Sequence, residues 1–201
     1  MALLRSLPEN ATLVDLRRIY ADLLEKLRPY GQRLMRGPSP LSHGEREFIA
    51  AFVSGVNSCR YCHGAHSLVA RAFGVDEGAL ASALDDIDLA PVDARLKPLL
   101  RYVRKLTETP SRMTEADAAA AYDAGWSDKA LLHAIAVCAY FNNMNRLVEG
   151  AGIVGNTEHY RAAAQRLAEH GYVRGRAEGQ RAQAGRRAKP AARPQRRARR
   201  K

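Results

Sequence analysis

The sequence predicts an all-α fold, on three observations. Apolar residues recur three and four apart through nearly every segment, and no run alternates in the manner of a strand. Alanine and leucine dominate a hydrophobic content of 46%, while aromatics make up only 6%, a composition that favours helix. The helical stretches are bounded by capping residues and glycines rather than by hairpin turns.

Taken in order, residues 1–11 read as a loose leader. Thr12 and Asp15 open a helix whose apolar face is Leu13, Leu16, Ile19, Tyr20, Leu23, Leu24 and Leu27, and which ends near Tyr30-Gly31. The Gly/Pro loop Arg36-Gly37-Pro38-Ser39-Pro40 follows. Ser42 and Glu45 form a capping box that starts a helix running to about Gly55. A break at Asn57-Ser58 leads into a third helix from about Cys59 to Phe73, closed by Gly74. Asp76 caps a short helix to about Leu84, and residues 85–91 form a turn. Leu96, Leu99, Leu100, Val103 and Leu106 continue the helical pattern, which stops before Pro110. Thr114 starts a helix ending at Gly125. Ser127 caps a long apolar one from Leu131 to about Val148, and Thr157 starts a last one ending near His170-Gly171. The expected domain thus holds about seven or eight helices over residues 1–171.

Residues 172–201 are expected to be a disordered basic tail. They are Gly, Ala, Arg, Gln and Pro with almost no large apolar side chain to offset the entropy of ordering. The net charge of +11 belongs to this tail: residues 171–201 hold twelve of the 32 Lys/Arg and one of the 21 Asp/Glu, so residues 1–170 are neutral. Such a tail suits non-specific contact with a polyanion or an anionic membrane surface, or serves as a solvated extension. With no aromatic residue after Tyr172, base stacking is not suggested. No apolar run reaches the roughly 18 residues of a membrane span. No secretory signal is expected at Met1–Glu9, and three cysteines make no disulfide scaffold, so a cytoplasmic protein is expected. No haem, flavin or nicotinamide motif is present, so no organic cofactor is expected.

The stretch Asn57-Ser58-Cys59-Arg60-Tyr61-Cys62-His63-Gly64-Ala65-His66 concentrates the chemistry. It holds two of the three cysteines and two of the six histidines within eight residues. On a helical wheel Cys59, Cys62 and His66 share a wedge of about 60° beside the apolar stripe. His66 leans back over Cys62, one turn earlier. A Cys-x-x-Cys at a helix start is exposed to the unpaired N–H groups and the dipole, conditions under which a thiol pKa falls to roughly 3.5–7.5. Three readings follow from the residues alone: a dithiol that cycles to a disulfide, a zinc site using Cys59, Cys62, His63 and His66, and two buried structural thiols. Glu47, twelve residues before Cys59, is the acidic candidate for a proton path. It lies nearly opposite the stripe of Phe48, Ile49, Phe52, Val53 and Val56, where a glutamate is ordinarily solvated, yet shares its face with the small Ala50, Ala51 and Ser54.

Glu47, Cys59-Arg60-Tyr61-Cys62 and His66, with eleven residues between Glu47 and Cys59 and three between Cys62 and His66, resemble the pattern of the AhpD-like alkylhydroperoxidases, within the carboxymuconolactone decarboxylase-like superfamily. Ala139-Tyr140-Phe141-Asn142-Asn143-Met144-Asn145-Arg146 is similar to the long-helix signature of its peroxidase-related branch. The resemblance spans roughly residues 8–172. It implies a helical fold assembling as trimers or hexamers, and reduction of hydroperoxides by the cysteine pair, with an external dithiol as reductant. Carried over, it makes Cys62 the peroxidatic cysteine, Cys59 the resolving cysteine and local proton donor, and Glu47 and His66 the proton relay. Tyr61 stands where the best-known relatives carry a histidine, a replacement common in the peroxidase-related branch. Thioredoxin-type pairs attack with the first cysteine, so the order of attack is open on chemistry alone. Two other functions remain: a non-catalytic interaction protein tethered to a polyanion by its tail, and an oxidoreductase acting on protein disulfides. Cys138 and His133 are expected in the core or as packing residues, and Asn142, Asn143, Asn145 and Arg146 at a pocket or subunit interface.

Overall fold

A computed structural model describes residues 2–173. These form ten α-helices and one 3-10 turn, with no strand among the described residues. The helices are α1 Leu13–Ile19, α2 Ala21–Leu24, α3 Leu27–Arg36, α4 His43–Val56, α5 Arg60–Ala72, α6 Ala79–Asp85, α7 Leu96–Glu108, α8 Glu115–Asp123, α9 Asp128–Gly150 and α10 Thr157–His170. The expected tail lies outside the described residues beyond Val173.

The helix count exceeds the expected seven or eight because the first segment is three helices, not one. Tyr20 leaves helical geometry (φ −110°, ψ 45°), and its hydroxyl meets Ser6 Oγ at 2.5 Å. The leader is therefore not loose: Leu7 and Ala11 are buried, and the Leu3 N–H donates to the Ala151 carbonyl at the end of α9. Gly31 does not end a helix either. It sits inside α3, where a Cβ would lie 2.6 Å from the Tyr140 hydroxyl. Its missing side chain lets α3 approach α9 closely, a packing use of glycine that a sequence reading takes for a stop.

α4 is the central helix. It packs most extensively on α5 and also against α9, α7, α6 and α3, while α10 lies across α5. Every residue from Arg46 to Ser54 is buried. Phe48 and Phe52 each contribute roughly 1.5–3 kcal/mol of burial. The start of α4 is fixed by the expected box: the Glu45 N–H donates to Ser42 Oγ (3.2 Å) and the Ser42 N–H to Glu45 Oε2 (2.6 Å). Arg46 is buried beside this cap, its guanidinium donating to the carbonyls of Ser42, Leu34 and Gly37. No helix of the described residues is long and apolar enough to cross a membrane.

Candidate active site

The turn between α4 and α5 places the cysteines. Ser58 adopts a left-handed conformation (φ 56°), unusual for a residue with a Cβ, and the Cys59 N–H donates to the Ser54 carbonyl at 2.9 Å. Cys59 is the N-cap residue with extended backbone, and Cys62 lies in the first turn proper. The two cysteines therefore differ in their place at the helix start: Cys59 is the cap, with the Cys62 N–H directed at its sulfur, and Cys62 is inside the helix. Both are unbonded thiols, and both are buried.

Their acidities are pushed apart. The hydrogen bond from the Cys59 thiol to the Cys62 sulfur, with burial behind it, raises the Cys59 pKa. That same hydrogen bond lowers the Cys62 pKa. Burial opposes it, and His66, the Asn145 amide and Arg17 assist it. Cys62 is the more acidic thiol and Cys59 holds its proton.

Glu47, which a wheel would leave in solvent, is fully buried. Three other segments converge on its carboxylate. Oε2 lies 2.6 Å from His66 Nδ1 on α5. Oε1 lies 2.6 Å from Arg36 Nη1 on α3 and accepts from the Tyr172 hydroxyl at 3.1 Å. Burial alone would raise the Glu47 pKa, but His66 and Arg36 outweigh it and the net direction is downward. An ionised carboxylate only accepts, so His66 Nδ1 carries a hydrogen toward Glu47. Phe141 meets the His66 ring edge-on at 4.6 Å and the Tyr172 ring stacks over it at 6.1 Å, which fixes the imidazole from two sides. The Arg36 guanidinium lies 4.9 Å from the Phe73 ring centre and 5.3 Å from that of Tyr172.

Cys62 and His66 line a pocket of about 60 Å³, whose walls include Tyr61, Tyr140, Phe141 and Met144. Cys59 is not among its lining residues.

The four expected site residues are thus linked: Glu47 contacts His66, His66 and Cys62 line one pocket, and Cys59 hydrogen-bonds to Cys62. His63 does not join them, because its Nδ1 lies 3.0 Å from the Ala51 carbonyl. No group of three His, Cys, Asp or Glu among the described residues could hold a metal ion. Cys138 is buried against Thr107, its Sγ 3.2 Å from Thr107 Oγ1, and His133 Nε2 faces the Leu34 carbonyl at 2.7 Å. The polar positions of α9 form a brace: Asn57 Nδ2 donates to both Asn142 Oδ1 and Asn145 Oδ1, and Asn145 Nδ2 donates to Ser54 Oγ. Asn143 is exposed.

Sequence reasoning missed Arg36, Tyr172 and Arg17. A buried glutamate needs a cation, so the burial of Glu47 would have called for an arginine. Tyr172 had one signal, being the last aromatic before the Arg-rich segment. It was assigned to the tail, but it is buried in the domain: its N–H donates to Gln32 Oε1 at 2.6 Å and its carbonyl accepts from Arg28.

Residues 21–105 match the model of the carboxymuconolactone decarboxylase family. Two solved structures are similar to the chain. One is an uncharacterized peroxidase-related protein from Silicibacter sp. TM1040, 29% identical over 73% of this chain and 78% of that one, with a TM-score of 0.66. The other is an alkylhydroperoxidase AhpD core, an uncharacterized peroxidase-related protein from Ralstonia eutropha JMP134. It is 24% identical over 75% and 79% of the two chains, with a TM-score of 0.68, and shows the shared fold. No curated protein matches the chain.

Proposed function

We propose, from the match of residues 21–105 to the carboxymuconolactone decarboxylase family and the similarity to a peroxidase-related structure, that the chain is a cysteine-based peroxidase reducing hydroperoxides through a Cys59/Cys62 dithiol cycle. The observation that carries this reading is the division of labour in the pair: Cys62 lines the pocket and is the acidic thiol, while Cys59 sits behind it holding a proton.

The Cys62 thiolate attacks the distal peroxide oxygen and the O–O bond breaks. The leaving alkoxide takes a proton, giving an alcohol and Cys62 sulfenic acid. The Cys59 sulfur then attacks the sulfenic sulfur, releasing water and closing the disulfide, which an external dithiol reduces by exchange. His66 relays protons through Nε2. Glu47 holds the tautomer and stabilises the ring when it is charged, as a carboxylate does behind a catalytic histidine. Glu47 is a positioning residue here, because its ion pair with Arg36 keeps it ionised.

The test is thiol titration with intact mass before and after a stoichiometric organic hydroperoxide, on wild type, Cys59→Ser and Cys62→Ser. Wild type should lose both thiols of the pair and the mass of their hydrogens, and Cys59→Ser should accumulate a trappable sulfenic acid. Sulfenic acid in Cys62→Ser instead reverses the two roles. A pair that stays reduced under excess peroxide removes the peroxidase reading.

A further inference from the structure

Arg17 stands on α1 with Leu13 one turn before it, and both line the Cys62 pocket. Its Nε is buried and has no hydrogen-bond partner among the described residues. A buried donor on a charged group is costly to leave unmatched. The same pocket is lined by Arg166, which donates to the Gly171 carbonyl at 3.3 Å, and by no aspartate or glutamate. The remaining wall near Arg17 is apolar or aromatic, with Tyr140, Phe141, Met144 and Leu167. An acidic thiol, a guanidinium with unmet capacity and an apolar wall therefore share one small cavity. Carboxylate is the anion that a guanidinium fork matches in shape, and the wall suits a hydrocarbon body beside it.

We propose that Arg17 is an anion-binding residue of the Cys62 pocket, and that the hydroperoxide reduced there carries a carboxylate beside an apolar body. The anion site stands on the pocket itself, whereas the hydroperoxide part rests on the peroxidase reading above. Arg17 also favours the Cys62 thiolate, so its removal slows any reaction of that sulfur. The test must cancel this common effect.

Iodoacetate and iodoacetamide are nearly the same size and differ by one negative charge. Their alkylation rates at Cys62, read by peptide mapping of the full chain, give a ratio in which thiolate content cancels. In Arg17→Gln the iodoacetate-to-iodoacetamide ratio should fall about tenfold, the worth of one charge-assisted contact, with Arg17→Lys between the two. An unchanged ratio overturns the anion site. The second arm compares cumene hydroperoxide bearing a para-carboxylate with its methyl ester. Wild type should favour the acid in kcat/KM, and Arg17→Gln should lose that preference. Equal use of acid and ester by wild type overturns the substrate class and leaves the peroxidase reading standing. Turnover of neither, with an Arg17-dependent alkylation ratio, removes the peroxidase reading and keeps the anion site.

Discussion

At Cys62 a thiol donor, a histidine, an amide and an arginine all favour the thiolate, while at Cys59 the proton is held in place. The spacing is symmetric but the surroundings are not. The alkylation rate of Cys62 should therefore titrate with a midpoint below the roughly 8.5 of a free cysteine, and Cys59→Ala should move it upward by removing the donor. A midpoint that ignores Cys59 would exclude that hydrogen bond as the cause. Glu47 supplies the second residue-scale case. Its folded pKa is depressed, so its ionisation stabilises the fold at pH values above the unfolded carboxyl pKa of roughly 4.3, and that stability is lost as pH falls through the folded value. Glu47→Gln leaves Arg36 buried without its carboxylate and should cost about 3–5 kcal/mol at neutral pH. The variant should also show a flatter acid limb in denaturant midpoint against pH. An acid limb as steep as in wild type would mean that another carboxyl controls it.

Between helices, α10 reaches the site through α5. A Cβ on Gly64 would lie 2.8 Å from the Tyr160 ring, and α10 carries Ala163, Arg166 and Leu167 into the pocket wall. Gly64→Ala should destabilise by about 1–3 kcal/mol through overpacking, and should quicken alkylation of Cys62 by lifting α10. Lower stability with unchanged access would confine the contact to packing. Most of these elements could be seen in the sequence because their signals are local. The Ser42–Glu45 box, Ser127 as a cap and the left-handed glycines Gly74 and Gly125 all act within a few residues. The break at Tyr20 and the passage of α3 through Gly31 could not be seen, because their accompanying contacts, with the hydroxyls of Ser6 and Tyr140, come from outside the segment. The site divides in the same way. Cys59, Cys62 and His66 are set by one helix start, and Glu47 follows from its spacing to them. The partners of Glu47 come from α3 and from beyond α10, and nothing near Glu47 in the sequence marks them.

For the molecule as a whole, the boundary between domain and tail falls within the site. Residues 171–201 were separated from the rest by charge, yet Tyr172 is buried against Glu47 and His66. All twelve basic residues of that segment lie after Val173. Two truncations two residues apart therefore test different things. Removing residues 174–201 takes away the excess charge and leaves Tyr172 in place. It should keep the melting temperature and the peroxide-driven loss of thiols, and abolish any salt-sensitive retention on a polyanion matrix. Removing residues 172–201 also deletes a buried ring and one donor to Glu47, and should cost about 3 kcal/mol or more by the measure of large-to-small core changes. It should slow Cys62 oxidation as well, because the His66 ring loses its stacked face. Adding Tyr172 and Val173 back should restore both properties. If removal of 174–201 alone slows oxidation, the basic segment itself takes part in the chemistry. If neither truncation affects oxidation, the hydrogen bond from Tyr172 to Glu47 has no catalytic weight, and His66 on α5 is positioned by Glu47 on α4 without it.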